Sequence, residues 1–407
     1  MGGYGLLGEK LGHSFSPKIH ALLGDTPYDL YEKRPHELEE FLLHGDLAGM
    51  NVTIPYKKTV MPYCAALTDI ARRIGSVNTL VRRADGTLLG DNTDYYGFDC
   101  LLQRAGIDPK GKKALVLGSG GASLTVQMVL RDREAGQVIV ISRSGADNYD
   151  NLHRHADAEL IVNTTPVGMY PQNGVSPVDL GMFPNCSAVV DVIYNPARTA
   201  LMLQAEELGI PCAGGLTMLV AQAVRSAERF LGRDFSDHTL ERVLHTLERD
   251  TENIVLIGMP GCGKSLLGRA LAEKLGKPFV DADQEIIRQA GKSIPDIFAQ
   301  EGENGFRRRE TEVLRRLGSQ SGQVIATGGG CVTREENKPL LRQNGKLIWV
   351  RRPVSVLPTQ GRPLSQRGNL EEMARERMPL YAELADHIID NTGTPEAALQ
   401  KLMEVCL

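Results

Sequence analysis

No hydrophobic run in this chain of 407 residues approaches the ~18 apolar residues of a membrane-spanning helix; the longest, such as AVVDVI and IVLIGM, are a third of that. The stretch after Met1 lacks the length and flanks of a signal peptide. CxxC spacing is absent, and the seven cysteines (Cys64, Cys100, Cys186, Cys212, Cys262, Cys331, Cys406) are an odd number. That argues against a disulfide framework or a zinc site and suits a reducing compartment. A strong charge of one sign is missing too. Residues 1–249 carry 24 Lys+Arg against 29 Asp+Glu, a net −5, and residues 250–407 carry 22 against 21, a net +1. Neither half has the basic surplus of a nucleic-acid binder. There is no internal repeat and no low-complexity tract. The expectation is a cytoplasmic protein acting on small molecules, with neither nucleic acid nor membrane as partner; nothing in the sequence fixes its oligomeric state.

What is present is enough chain for two or three domains, with a composition, 24% charged and 42% hydrophobic, that excludes disorder. Two glycine-rich signatures stand far apart, at 114–123 and 254–265. Each follows a β-branched run, ALVLG and NIVLIG, and leads into a helical pattern, so the chain reads as α/β with parallel sheets. Ser16-Pro17 reads as an N-cap with proline at the first helical position. AGMNVTIPY reads as a strand, and RRADGTLL as a hairpin turning at Asp85-Gly86. The charged stretch Leu231–Asp250 ends in ERDTEN, which places a short, stiff boundary near 249–252. The first half divides again into a lobe at 1–110, completed by 217–249, and a nucleotide-type lobe at 111–216. The amphipathic segment Met218–Leu231 is expected to pack back on the first lobe.

In ALVLGSGGAS, Gly118 makes the tight turn and Gly120 lets a pyrophosphate approach the backbone. A helix starting near Gly121 offers free N–H groups to it. The third glycine of the strict fingerprint is Ser123. The next strand, QVIVIS, ends in Ser142-Arg143-Ser144, where an arginine rather than a carboxylate suits a ribose 2′-phosphate, so NADP(H) is favoured over NAD(H). The first lobe adds polar groups: Ser14 and Ser16, two apart and on one side if extended; Asn51, Thr53 and Lys57 in NVTIPYK; Asn78 in SVNTL; Asn92 and Asp94 in GDNTD. Such a set describes a pocket for a small polyhydroxylated acid, in which a lysine beside a carboxylate holds and passes a proton.

The ordered motifs GHSFSP, NVTIPYK, SVNTL, GDNTD, LGSGGAS, NTTPVGM, DVIYNP and GLTMLVAQA make residues 1–247 resemble shikimate dehydrogenase. The resemblance implies that Lys57 and Asp94 are the catalytic pair. Ser14, Ser16, Thr53, Asn78, Asp94, Tyr194 and Gln222 would hold the substrate. Gly118, Gly120, Gly121, Ser142 and Arg143 would bind NADP(H), with Asn163–Gly168 and Gly215 near the nicotinamide. Having both serines leans toward shikimate over quinate. Only 19 residues separate Arg143 from Asn163, so a strand-helix unit of the nucleotide lobe is expected to be trimmed.

GMPGCGKS matches GxxxxGK[ST] completely and sits between a strand and a helical stretch. Its loop, Gly261, Cys262 and Gly263, would cradle phosphates with Leu266 beside it. Lys264 would reach the β/γ oxygens, and Ser265 would ligate Mg²⁺. FVDAD places Asp281 and Asp283 on one face of a strand end, suited to Mg²⁺ water and to a hydroxyl acceptor. Arg307, Gly328–Gly330, Arg362 and Arg377 follow in GFRRRE, TGGG, GRPL and RMPLY, as phosphoryl transfer requires positive charge around the moving group. This ordered set resembles shikimate kinase over 252–407. The resemblance implies that Asp283, Arg307, Gly329, Gly330 and Arg377 bind shikimate, and that Asp283 orients the attacking hydroxyl. Lys264 and Arg362 would stabilise the moving phosphoryl of ATP, Ser265 and Asp281 would serve Mg²⁺, and Glu310 would anchor an arginine. Pro353 and Pro358 stand where a helix before the lid is expected.

Together these readings imply an α/β chain: a two-lobed dehydrogenase with a Rossmann-like NADP lobe, then a P-loop domain of the nucleoside-monophosphate-kinase type. Its cofactors would be NADP(H), ATP and Mg²⁺, and its activities consecutive steps on 3-dehydroshikimate and shikimate. The alternative is a shikimate or quinate dehydrogenase carrying an ATP-binding regulatory module of little kinase activity.

Overall fold

A computed structural model describes residues 2–12, 14–24, 27–357 and 370–406. The chain forms two compact units: residues 1–169, 175–194 and 204–246, and residues 170–174, 195–203 and 247–407.

The first unit contains two sheets. One has six strands in the order β2-β1-β3-β5-β6-β4: β1 Gly3–Gly8, β2 Tyr28–Glu32, β3 Leu47–Val52, β4 Ala66–Leu67, β5 Thr79–Arg82 and β6 Leu88–Asp91. β1 pairs in parallel with β2 and β3, while β3, β5 and β6 run antiparallel, with Asp85-Gly86 in the β5–β6 connection. The helices here are α1 (Ser16–Leu23), α2 (Leu38–His44), α3 (Asp69–Ile74) and α4 (Asp94–Arg104). α1 differs by one residue from the capping pattern: Phe15 is the N-cap and Ser16 already helical.

The other sheet is wholly parallel, in the order β11-β10-β9-β7-β8: β7 Lys113–Leu117, β8 Gln137–Ile141, β9 Leu160–Asn163, β10 Ala188–Asp191 and β11 Cys212–Gly214. Its inner strands, ALVL and LIVN, are buried on both faces, as a parallel sheet covered by helices requires. α5 (Gly121–Asp132) follows β7 and α6 (Ala200–Glu207) precedes β11. Between β8 and β9 there is only a 3-10 segment, Tyr149–His155, and β8 is an edge strand of the sheet. The short spacing after Arg143 has this as its cause. α7 (Leu216–Leu231) returns to the first lobe: Phe230 packs against Tyr4, and Arg229 pairs with Asp91 at 2.9 Å. α8 spans Asp237–Thr251, and the next strand begins at Asn253.

The second unit is built on a five-stranded parallel sheet, β13-β14-β12-β15-β16: β12 Asn253–Ile257, β13 Phe279–Asp281, β14 Val324–Ala326, β15 Gly345–Arg351 and β16 His387–Asp390. Helices α9 (Lys264–Leu275), α10 (Ala282–Ala290), α11 (Ile294–Ser319), α12 (Asn337–Arg342), α13 (Leu370–Leu384) and α14 (Pro395–Cys406) accompany it. Its core is one continuous cluster that includes Ile254–Ile257, Leu271, Leu314, Trp349 and Tyr381. In both parallel sheets the glycine loops leave the carboxyl ends of the strands, the edge at which such folds bind ligands. A 3-10 turn, Val354–Val356, stands after Pro353 where a helix is the expectation. Pro358 and Arg362, the arginine expected on a lid, lie outside the described residues.

Candidate active sites

In the first lobe, the chain leaves β3 through Thr53 into a tight turn. Tyr56 is buried in the core there, while Lys57 is only partly covered. Lys57 Nζ donates to Asp94 Oδ2 at 2.6 Å, and Asp94 is the first residue of α4. Both side chains remain partly exposed, at 23% and 14%, so the pair is reachable from solvent. Asn78 sits just before β5; its Oδ1 accepts from the Thr93 amide at 2.7 Å, which ties it to the residue preceding Asp94. Gln222, on α7, is joined to the same place: its carbonyl accepts from Ser226 Oγ, which lies 2.9 Å from Thr93 Oγ1. Lys57, Asn78, Asp94 and Gln222 are thus brought together from four segments of the chain.

Ser14 and Ser16 are not extended. Ser14 Oγ accepts from the Ser16 amide at 3.2 Å, and Ser16 opens α1, so the two hydroxyls are set by a turn rather than by strand alternation. Phe15 between them meets Tyr194 edge-on, with ring centroids 5.7 Å apart, which joins this turn to the end of β10. Two pocket candidates belong elsewhere. Asn51 and Asn92 are buried and bonded to protein groups, Asn92 Nδ2 to the Ser76 carbonyl and hydroxyl at 3.0 Å.

On the cofactor side, Gly118 follows β7 at φ 105°, a conformation that favours glycine. Gly120 is the N-cap of α5 and Gly121 its first residue, and a Cβ at either would meet open space. The helix N-terminus is therefore exposed to an incoming pyrophosphate. Ser142 and the exposed Arg143 stand at the end of the neighbouring strand β8. Asn163 is fully buried and holds the next turn, its Oδ1 accepting from the Thr165 amide and hydroxyl at 3.0 and 2.7 Å. Gly215 caps α7, its amide donating to the Ile193 carbonyl. The donor set fits a dinucleotide phosphate.

In the second unit, a single cavity of about 470 Å³ unites the two halves of the expected site. The phosphate loop supplies Gly261, Gly263, Lys264, Ser265 and Leu266, and the far side Asp283, Arg307, Gly329, Gly330 and Arg377. Cys262 is buried beneath, its carbonyl accepting from Asn391 Nδ2 at 2.8 Å. Lys264 Nζ donates to the loop's own Gly258 and Met259 carbonyls at 2.7 and 3.0 Å. Ser265 Oγ donates to Asp281 Oδ2 at 2.6 Å, while Asp281 Oδ1 caps α10 by accepting from the Asp283 amide. A hydroxyl and a carboxylate beside a phosphate loop are the hard oxygen donors that suit Mg²⁺.

Asp281 ends β13, but Asp283 lies in the first turn of α10, so the two acids do not share a strand face as the spacing suggests. Asp283 Oδ1 is shielded from solvent and has no protein partner. Burial, with Glu310 and Asp281 adding to it, pushes the Asp283 carboxyl up to about 6, against the pull of Lys264 and Arg307. Arg307 is buried and held by Glu310 at 2.7 Å and Glu303 at 3.3 Å. Arg377 is buried with its Nε unpartnered. One turn later, the Tyr381 hydroxyl donates to the Gly329 carbonyl and fixes the glycine loop from behind.

Sequence reasoning missed the apolar wall of this cavity, Ile294, Pro295, Phe298 and Phe306, and also Ser226. Ser226 carried a signal: it is a polar residue one turn beyond Gln222 on the apolar face of α7.

A mixed-sheet lobe and a dinucleotide-type lobe around a Lys–Asp pair define a two-lobed α/β oxidoreductase, and the second unit is a P-loop phosphotransferase. The family model described as shikimate dehydrogenase substrate binding domain matches residues 6–80, and the shikimate kinase model matches residues 260–407. The chain is 36% identical over 244 residues to a shikimate dehydrogenase (NADP(+)) of Clostridium beijerinckii, covering 55% of this chain and 90% of that protein. It is 45% identical over 163 residues to a shikimate kinase of Nitrosomonas europaea, covering 37% of this chain and 77% of that one. Among solved structures, the chorismate mutase/shikimate 5-dehydrogenase fusion protein of Clostridium acetobutylicum matches with TM-score 0.57 and 38% identity, covering 60% of this chain and 96% of that one. The shikimate 5-dehydrogenase of Thermus thermophilus, in complex with NADP(H) and shikimate, matches with TM-score 0.55 and 30% identity, covering 60% and 99%. The chain belongs to the shikimate dehydrogenase family in its N-terminal part and to the shikimate kinase family in its C-terminal part, which makes it a bifunctional enzyme of the shikimate pathway.

Proposed function

We propose that the chain reduces the 3-keto group of 3-dehydroshikimate to give shikimate and then phosphorylates the new 3-hydroxyl. The domains serving this would be 1–110 completed by 217–249, 111–216, and 252–407. The observation that carries the reading is the continuous cavity in the second unit, in which a phosphate loop opens onto Asp283, Arg307 and Arg377. A module that only sensed ATP would need no second-substrate pocket.

In the first reaction, NADPH held along Gly118–Gly121 with its 2′-phosphate on Arg143 supplies the hydride. Lys57, hydrogen-bonded to Asp94, passes a proton to the oxygen of the carbonyl being reduced. Ser14, Ser16, Thr53, Asn78, Tyr194 and Gln222 hold the remaining hydroxyls and the carboxylate.

In the second, ATP supplies the phosphoryl group and Mg²⁺, at Ser265 and Asp281, neutralises charge on it. Asp283 takes the proton of the 3-hydroxyl as that oxygen becomes bonded to phosphorus and the bond to the leaving ADP breaks. A carboxyl near 6 is matched to that transfer at neutral pH. Arg307 and Arg377 pair with the shikimate carboxylate, and Lys264 and Arg362 with the moving phosphoryl. The intermediate passes between the reactions by free diffusion, in the cytoplasm; among the described residues no helix is long and apolar enough to cross a membrane.

A one-pot reaction of the purified chain with 3-dehydroshikimate, NADPH and MgATP, followed by mass spectrometry, tests this. Shikimate 3-phosphate is the expected product. Shikimate accumulating unphosphorylated would reduce the second unit to an ATP-binding module. Faster oxidation of quinate than of shikimate would overturn the substrate assignment.

A further inference from the structure

Behind the Lys57–Asp94 pair lie four polar side chains that the proposed reaction does not use. Asn51, Thr79, Thr93 and Ser226 are 6%, 0%, 1% and 0% exposed and come from β3, β5, the start of α4 and α7. Burying four such groups is costly unless they satisfy one another, and they do.

Counting protons settles which way the bonds at Ser226 and Asn78 run. The Ser226 hydroxyl has one proton, donated to the Gln222 carbonyl at 2.9 Å. Ser226 Oγ therefore accepts from Asn51 Nδ2 at 2.7 Å and faces the hydroxyls of Thr93 and Thr79 at 2.9 and 3.1 Å, each of which has Asn78 Oδ1 as its other acceptor, at 3.2 and 3.0 Å. Whichever acceptor takes its proton, Thr93 Oγ1 accepts from Asn78 Nδ2 at 3.1 Å. Asn51 Nδ2 uses its other proton on Thr79 Oγ1 at 3.2 Å, and the Thr79 hydroxyl donates to Asn78 Oδ1 at 3.0 Å. Asn78 Oδ1 accepts the Thr93 amide as well. Both lone pairs of Asn78 Oδ1 are then occupied, one of its amide protons is taken, and one N–H is left over. Tyr28 donates to Asn51 Oδ1 at 2.8 Å and closes the far end.

We infer that Ser226 and Thr93 are positioning residues for substrate recognition: their hydroxyls lock Asn78 as a hydrogen-bond donor, so that the site accepts an oxygen acceptor, a ring hydroxyl or keto oxygen, at the position facing Asn78. The same bonds hold the Gln222 backbone and the residue before Asp94. This rests on the proposed role of Asn78 in binding substrate.

The test is a double-mutant cycle in the full chain, measuring shikimate oxidation with NADP⁺ and, in the same preparations, kinase turnover as a reference. Thr93→Val is isosteric and keeps the packing; Ser226→Ala is the second probe. Each should lower kcat/KM for shikimate about ten-fold, mostly through KM, with KM for NADP⁺ and kinase turnover within about two-fold. Thr93→Ser, which loses a methyl group but keeps the hydroxyl, should restore kcat/KM while lowering Tm. In an Asn78→Ala background neither substitution should cost more than about two-fold further, because the group they orient is gone. Full additivity with Asn78→Ala, an equal loss in KM for NADP⁺, or failure of Thr93→Ser to restore activity would overturn the inference. An Asn78→Ala variant with unchanged kinetics would instead overturn the site assignment beneath it.

Discussion

The backbone of Gly330 lies so close against the Arg307 guanidinium that no side chain fits between them: a Cβ there would overlap both terminal nitrogens. Arg307 has little room to withdraw, since Glu310 and Glu303 hold it from one side and it is buried. Gly330→Ala should therefore push the arginine off its position. The expected result is a rise of about ten-fold or more in the kinase KM for shikimate, with KM for ATP and the dehydrogenase rate nearly unchanged, read by steady-state kinetics of both reactions.

Asp283 gives the kinase a pH signature. With its carboxyl at about 6, kinase kcat/KM for shikimate should fall as pH drops through 6 while the dehydrogenase continues. The sign for stability is the opposite. A carboxyl raised from 3.8 contributes stability that is fully present below the ordinary carboxylate range and lost as pH rises through about 6. At neutral pH the buried ionised group thus costs on the order of 2–3 kcal/mol. Asp283→Asn should abolish phosphorylation yet raise the Tm at pH 7.5, and the gain should shrink at pH 5. A variant less stable at pH 7.5 would show that Lys264 and Arg307 outweigh the burial.

Lys57→Ala removes the proposed proton carrier and the 2.6 Å hydrogen bond to Asp94. The dehydrogenase rate should fall about 10²–10⁴-fold, while kinase turnover stays within a few-fold. Collapse of both activities in a folded variant would contradict the separation of the two sites.

Arg143 stands exposed at the end of β8, beside the glycine turn. Its replacement by alanine should raise KM for NADP(H) about ten-fold or more and leave NAD(H) little affected, since only the former carries a 2′-phosphate to pair with. Comparable efficiency of the parent protein with the two cofactors would refute that role.

Much of the fold can be read from residues whose backbone demands are local. Gly118 and Asp85-Gly86 announce their turns, Gly263-Lys264-Ser265 announces a loop-to-helix junction, and the stripe on Met218–Leu231 announces a buried helix face. What escapes depends on which neighbour a side chain meets. Asn51 and Lys57 lie in one motif, but the register of β3 against β5 turns Asn51 inward, while Lys57 lies beyond the strand's end. Asp283 reads as a strand residue because Asp281 is one; the chain switches to helix between them because Asp281 caps that helix with its own carboxylate. Phe298 and Phe306 look like ordinary core residues, since an apolar wall of a pocket and an apolar core have the same composition.

α8 ends at Thr251 and β12 begins at Asn253, so one residue of chain separates the last helix before the phosphate loop from the first strand of its sheet. Continuity of the polypeptide has a consequence for metabolic control. Every translated molecule delivers the reductase and the kinase in a fixed one-to-one ratio, whatever the level of expression. Under the proposed reactions, the standing pool of shikimate is then governed by the kinetic constants of the two sites and by the supplies of NADPH and ATP. Expression of this chain cannot shift that pool by supplying more of one catalyst than of the other.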